Sequence, residues 1–304
     1  MGRNLGGALP EADRPVTVPS VSVVVPCYNG GRFIDQLLAC LRLQTFQDFE
    51  VIIVDDGSTE PETLAKLAEL PKEIRVVRQP NGGLPAARNT GIRRARSELV
   101  LPLDCDDTLE PSFLAETVKT IRSAPSNVAF VFTHMRLAGA IEGTFNTRFD
   151  RFDQLFANRL PYGMLFRKSA WTSVGGYDES MRDGSEDWEF NIRLAAGGFD
   201  GVEVAKPLFV YTVRREGMLL SKTARLQGTM WRNIRARHEM LYCLPVLFKC
   251  WRATNGRLDS ALRAVVMLVL LKILPERGYN ALFYKLMQMT RGFRLNRIYL
   301  PSKS

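Results

Sequence analysis

Histidine is nearly missing from this chain: 304 residues include only His134 and His238. A histidine-rich metal centre is therefore excluded, and any metal must rest mainly on carboxylates. Five cysteines occur (Cys27, Cys40, Cys105, Cys243, Cys250), an odd number with no CxxC pair. That argues against a zinc ribbon or disulfide framework and points to a reducing, cytoplasmic compartment. No GxGxxG occurs, and no glycine-rich loop ends in GKS or GKT, so dinucleotide and P-loop chemistry are disfavoured. No apolar run reaches about 18 residues, the length expected of a spanning helix. Residues 1–19 carry glycine, proline and charge without an apolar stretch, and are read as a disordered lead.

The charge that is present is unevenly spread. The net charge is +9. Residues 1–204 hold 22 Lys and Arg against 28 Asp and Glu, a net of −6. Residues 205–304 hold 19 against 4, a net of +15. An acidic body suits metal and hydroxyl chemistry, whereas a basic end suits an anionic surface.

Hydrophobic patterning divides the acidic body into alternating strands and helices. Val21 to Val25 reads as a buried strand ended by Pro26. Ile34, Leu37, Leu38 and Leu41 fall on one helical face. Phe49 to Val54 is a second buried strand, followed by a helix at 61–70 and a short strand at 74–78. Gly82 and Gly83 open a helix to Ala95, and Glu98 to Leu103 is a further strand. After Pro111 a helix to about Arg122 precedes a strand at 128–132. Residues 134–160 show no regular pattern; a helix at 186–196 and a strand at 207–213 follow. Continuously apolar strands between helices indicate an α/β fold with a mostly parallel sheet covered on both faces. A boundary near Leu220 separates an α/β domain, 20–220, from a basic helical region, 221–304.

Three polar motifs stand at strand ends, where open α/β sheets bind ligands. The first is Pro26, Cys27, Tyr28 and Asn29; the second is Asp55, Asp56, Gly57 and Ser58; the third is Asp104, Cys105, Asp106 and Asp107. Crowded carboxylates repel unless a cation joins them, and Mg²⁺ or Mn²⁺ fits such oxygen ligands. The plainer alternative is a solvated turn ahead of a helix. Asp56 can accept from a base or ribose, and Tyr28 can stack on a base; ordinary turn chemistry is the alternative. Gly83 lets backbone approach a phosphate, and Arg88, one turn into the helix, can pair with it. Asp187 opens a helix, where the dipole favours its ionised form, and can serve as a general base; a simple cap is the alternative.

These residues together resemble the family-2 inverting glycosyltransferases of the GT-A fold. The matching strings are VSVVVPCYNGG, VIIVDDGS, NGGLPAARNTGI, LVLPLDCDDTLEP and EDWEFNIRLAAGG, in order over about residues 20–215. The resemblance implies that Pro26, Tyr28 and Asn29 border the nucleoside and that Asp56 binds its base. It implies Asp104 and Asp106 as a DxD pair, with Asp106 the direct metal ligand and Asp104 nearer ribose or sugar hydroxyls. Asp187 becomes the catalytic base. The implied reaction moves a sugar from a nucleotide-sugar, expected to be a UDP-sugar, to a glycan or lipid-linked hydroxyl in cell-surface polysaccharide synthesis. Many members carry a His after the last strand; residues 211–217 here have none, which leaves Arg214 and Arg215 to hold the diphosphate.

Two other functions compete. A sugar nucleotidyltransferase wants a glycine-rich, basic loop directly after the first strand, which Pro26 to Arg32 matches poorly. A non-catalytic nucleotide-sugar-binding protein would be expected to lose one of Asp104, Asp106 and Asp187. The basic region also has two readings. Ala264 to Leu271 is apolar all round, flanked by Arg263 and Lys272. It is either an interfacial appendage on an anionic membrane, at the inner face of the cell membrane, or a subdomain packed on the catalytic domain. Nucleic acid is disfavoured, because no base-reading motif appears.

Overall fold

The computed structural model describes residues 18–214, 224–254, 256–275, 278–282 and 285. Nearly all of the expected N-terminal lead, Arg215 and the expected boundary at Leu220 lie outside them. The chain order is β1 (Val21–Cys27), α1 (Gly31–Arg42), β2 (Phe49–Asp55), α2 (Pro61–Ala68), β3 (Ile74–Arg78), α3 (Leu84–Arg94) and β4 (Leu99–Pro102). Next come β5 (Thr108–Leu109), α4 (Phe113–Ser123), β6 (Val128–Gly139), β7 (Gly143–Phe145), α5 (Arg151–Gln154), β8 (Leu165–Arg167) and α6 (Lys168–Ser173). Then follow α7 (Glu186–Ala196), β9 (Asp200–Val213), α8 (Ala224–Arg237), α9 (Leu244–Ala253) and α10 (Leu258–Ile273).

One sheet runs β3-β2-β1-β4-β8-β6-β9-β5, with β7 paired to β6. β1 is parallel to both β2 and β4, and β2 to β3. β4 and β6 are each antiparallel to β8, so they run the same way, and β9 is parallel to β6. The sheet is therefore mostly parallel, as expected. Alternate side chains of its central strands enter different cores. Val23, Val25, Val51 and Ile53 pack with Ile34, Leu37 and Leu41 of α1 and Phe113 of α4. Val24, Ile52 and Val54 pack with Ile92 of α3 and Phe190 and Leu194 of α7. A strand buried on both faces has no polar alternation, which is why these runs are continuously apolar.

Three expectations need correction. Pro26 does not end β1, which continues to Cys27. The carbonyl of Val24 accepts from Leu103 on the β4 side, and Pro26, two residues on, faces the same way. β4 has by then ended, so the missing N–H of Pro26 interrupts no ladder. Residues 134–160 are irregular only in part: β6 runs on to Gly139, β7 folds back on it, and α5 follows. Short pieces and a hairpin leave no long period to read. The last strand begins at Asp200, ahead of the expected Pro207, because its exposed first half lacks an apolar run.

The C-terminal helices share a third core with the catalytic part. Phe152, Phe156, Trp188 and Ile192 meet Trp231, Ile234, Tyr242, Leu247, Ala264 and Met267. Trp231 is fully buried, donates from Nε1 to the Leu155 carbonyl (2.8 Å) and stacks on Tyr279 at 6.1 Å. His238 Nε2 lies 2.8 Å from Glu189 of α7. Trp231→Ala should cost about 3–5 kcal/mol by emptying this core. The check is the urea midpoint of the full chain; an unchanged midpoint would mean that the helices add nothing to the stability of the catalytic part.

Candidate active site

Because β2, β1 and β4 are parallel neighbours, their carboxyl ends share one sheet edge, and all three motifs meet there. Tyr28 leaves β1 with its ring about half exposed, open to a flat partner. Asn29 takes φ +51°, a left-handed conformation that asparagine tolerates. Its Oδ1 accepts from the backbone N–H groups of Thr59 (2.8 Å) and Glu60 (3.1 Å), locking the β1 end to the start of α2. Asn29 thus shapes the floor of the site rather than pointing a free amide into it.

Asp56 is buried and already committed. Its Oδ1 accepts from Gln79 Nε2 (2.7 Å) and the Gly82 N–H (2.8 Å), and its Oδ2 from the Gly83 N–H (2.8 Å). Of roughly four acceptor sites on a carboxylate, one on Oδ2 remains for a ligand. Asp56 therefore holds the glycine loop that leads into α3. Gly83 has φ +88°, and a Cβ there would stand 3.2 Å from Arg182 Cγ. The exposed Arg182 brings a cation to this loop that no sequence pattern pointed to.

Arg88 does not stand open to a phosphate. It is 1% exposed, and its Nη2 donates to Asp104 Oδ1 (2.8 Å) and Oδ2 (3.0 Å). Its Nη1 donates to Glu186 Oε1 (2.5 Å). The guanidinium also lies 4.7 Å from the Tyr162 ring centre and 5.7 Å from that of Tyr177. Burial disfavours its charge, but Asp104 and Glu186 outweigh that and hold its pKa well above the ordinary value. Arg88 joins the β4 end to the start of α7.

The remaining acidic residues divide by role. Burial and the nearby Asp104 push the Asp106 carboxyl above its ordinary value, and Arg214, ion-paired with Asp106 Oδ2, opposes them. Arg214 also lies 4.7 Å from the Phe33 ring centre, so the end of β9 closes over this edge. Asp107 does not lead into a helix, and both of its oxygens are engaged within the protein. It is buried, accepts from the Tyr162 hydroxyl and the Thr212 N–H (2.7 Å), and precedes the short strand β5. Burial, then the charges of Asp106 and Asp104, push its carboxyl well up.

At the start of α7, Glu186 is buried against Arg88 and Asp187 is half-buried. Burial pushes the Glu186 pKa up to about 7 against the pull of Arg88. Burial also raises that of Asp187, while Arg88 and a hydrogen bond from Asn158 pull it back. Asn158 Nδ2 donates to Asp187 Oδ2 at 2.8 Å, and Gln154 Nε2 donates to Asn158 Oδ1 at 3.2 Å. Sequence reading singled out neither residue, since both lie in the stretch without a legible pattern.

Among the described residues no group of three or more His, Cys, Asp or Glu is arranged to hold a metal. What the site does contain is a raised carboxyl, Asp106, beside Asp104, a like-charge pair that a cation would relieve. Mg²⁺ and Mn²⁺ sites often have one or two protein carboxylates, with phosphate and water completing the shell. The residues fit a cation of that kind, held by Asp106 with Asp104.

Residues 22–177 match the family model described as Glycosyl transferase family 2. The chain belongs to that family. An Escherichia coli chondroitin synthase is 29% identical over 188 residues, 60% of this chain and 27% of that protein. A Pasteurella multocida hyaluronan synthase is 28% identical over 199 residues, 62% of this chain and 20% of that protein. The chain thus spans less than a third of the length of either relative. Staphylococcus aureus TarS 1-349, solved with UDP-GlcNAc, superposes with a TM-score of 0.60 at 18% identity, covering 90% of this chain and 92% of that one. The Pyrobaculum calidifontis mannosyltransferase PcManGT, solved with GDP-Man and Mn²⁺, gives 0.52 at 18% identity and 91% of each chain. At such identity the likeness is one of fold, and it is the GT-A fold expected for this glycosyl transferase family 2 chain.

Asp56→Asn tests the loop brace without reference to activity. An amide N–H₂ would face backbone N–H groups, leaving a buried donor unmet at a cost of about 2 kcal/mol. Amide hydrogen exchange at Gly82 and Gly83 should quicken and the urea midpoint should fall. Exchange unchanged at both amides would remove Asp56 from this role.

Proposed function

We propose that the protein is an inverting glycosyltransferase that moves a sugar from a nucleotide-sugar, a UDP-sugar in the first instance, to a hydroxyl of a glycan or lipid-linked acceptor. The observation that carries this reading is the Arg88 bridge, which joins Asp104 at the donor edge to Glu186 beside Asp187. Donor-side and acceptor-side carboxylates are thereby held in one frame, as a single displacement requires. Tyr28 offers a face to the base, and the last acceptor site of Asp56 is available to it. Glu186 is occupied by Arg88, so the half-buried Asp187 is the group that accepts the proton of the attacking hydroxyl. Asn158 holds that carboxylate in orientation and favours its ionised form against the effect of burial. Arg214 brings positive charge to the edge where the diphosphate leaves. Mn²⁺ or Mg²⁺ on Asp106 and Asp104 would supply further charge to that leaving group. The chondroitin and hyaluronan synthase relatives and the UDP-GlcNAc neighbour support a nucleotide-sugar donor and a part in polysaccharide synthesis, which we place at the cell surface.

A donor panel of UDP-, GDP- and dTDP-sugars tests the reaction class, reading released nucleoside diphosphate with and without Mn²⁺. One donor should be turned over, and Asp187→Asn should lower the rate by about 10²–10⁴-fold. Release of pyrophosphate instead would assign a nucleotidyltransferase. A rate that survives chelation but falls in Arg214→Ala would shift the diphosphate charge onto that arginine.

Asn158→Ala removes a donor to the ionised form of Asp187, so the Asp187 pKa should rise further. The base works only when ionised, so the acidic limb of the rate profile should move up by about one pH unit, with recovery at higher pH. A uniform loss at every pH would reduce Asn158 to a packing role.

A further inference from the structure

Helix α10 is apolar on two faces. Ala264 and Met267 point into the third core. Leu258, Leu262, Val265, Val269 and Ile273 are 47–79% exposed. Their spacing of four, three, four and four residues puts them on one stripe, within an arc of about 80° and over a length of about 22 Å. Helix α9 adds Leu244 and Phe248, both exposed and one turn apart. Lys249 and Arg252 are exposed on the same helix, and Arg252 lies 5.8 Å from the Phe248 ring centre. From 244 to 273 the single acidic residue is Asp259, and it is paired with Arg257.

We infer that α9 and α10 form a docking surface for an anionic lipid bilayer. An apolar stripe of this length is unusual on a soluble surface, and the charge around it selects the occupant. A second copy of the chain would bring the same cations against themselves. An anionic headgroup layer meets them with opposite charge while the stripe enters the acyl boundary. Nucleic acid would answer the charge but not the stripe. The helix lies on the bilayer rather than across it: among the described residues no helix is long and apolar enough to cross a membrane. The third core also holds Trp188 and Ile192 of α7, so the docking helices share a core with the helix that begins at Glu186 and Asp187. The inference concerns binding and stands apart from the proposed transfer reaction.

The test is sedimentation of the full chain with phosphatidylcholine vesicles, with and without phosphatidylglycerol. The chain should sediment with the anionic vesicles, and less so as salt rises. Leu262→Glu/Val265→Glu/Val269→Glu should abolish sedimentation while keeping the wild-type circular dichroism. Lys249→Gln/Arg252→Gln should weaken it by about 25-fold, since each surface cation contributes about fivefold. No sedimentation with anionic vesicles, or equal sedimentation of wild type and the triple variant, would overturn the inference. A dimer in solution that the triple variant abolishes, with no vesicle binding, would give the face to a second copy and overturn it equally.

Discussion

Arg88 is a fully buried guanidinium, and burying such a charge costs several kcal/mol unless partners surround it. Here two carboxylates and two aromatic rings do so. The consequence runs in both directions. The pairs keep Arg88 charged, and Arg88 keeps Asp104 and Glu186 from leaving two unpaired charges at the edge of the core. Removing the arginine would uncompensate both, so the fold depends on it as much as the site does. Its position follows from α3, whose entry is set by Gly83 and whose entry loop is set by Asp56. A turn residue at the end of β2 therefore helps to place a cation at the end of β4.

A second chain of contacts does the same for the other side of the site. The Tyr162 hydroxyl accepts from the Asp104 N–H and donates to Asp107, while Asp107 accepts from Thr212. Those links tie the acidic loop to β9, and β9 ends in the Arg214 that pairs with Asp106. The acidic loop is held from below by Tyr162 and from beside by Arg88, leaving Asp106 the most adjustable of its carboxylates. An ion-paired Asp106 is compatible with two states, one neutralised by Arg214 and one by a divalent cation. A cation bound at Asp106 would compete with Arg214 for the same carboxylate.

The strands and the motifs that follow them were legible in the sequence because they depend on local patterning. Val23 to Val25, Val51 to Val54 and Leu99 to Leu101 announce themselves by apolar runs, although the continuation of the first strand through Pro26 did not show, and the motifs follow from parallel pairing. The roles of Arg88, Asp107 and Asn158 were not legible, because each is decided by a partner far along the chain. Arg88 meets Glu186 across 98 residues, and Asn158 meets Asp187 across 29. A nucleotide-facing Arg88 was the natural reading of a glycine turn before an arginine; tertiary contact turned the side chain inward instead. Among the described residues of the C-terminal end, α8, α9 and α10 are helices, but which apolar face of α10 points inward was not legible, since both of its faces carry apolar residues.

Glu186 and Asp187 sit side by side in one helical turn, yet their surroundings separate them. Glu186 is enclosed, spends its charge on Arg88 and is pushed to about 7 by burial. Asp187 keeps exposed surface and takes a neutral donor, Asn158, rather than a cation. A carboxylate locked to a guanidinium would have to break that pair to take a proton, whereas one steadied by an amide keeps its basicity and its free oxygen. Two adjacent carboxylates thereby stand in different surroundings, one tied into the frame by a guanidinium and the other held by an amide. The same logic explains why the amide comes from the segment just before β8. That segment packs through Phe152 and Phe156 against α7 and the C-terminal helices, so whatever orders those helices also steadies Asn158, the partner of Asp187.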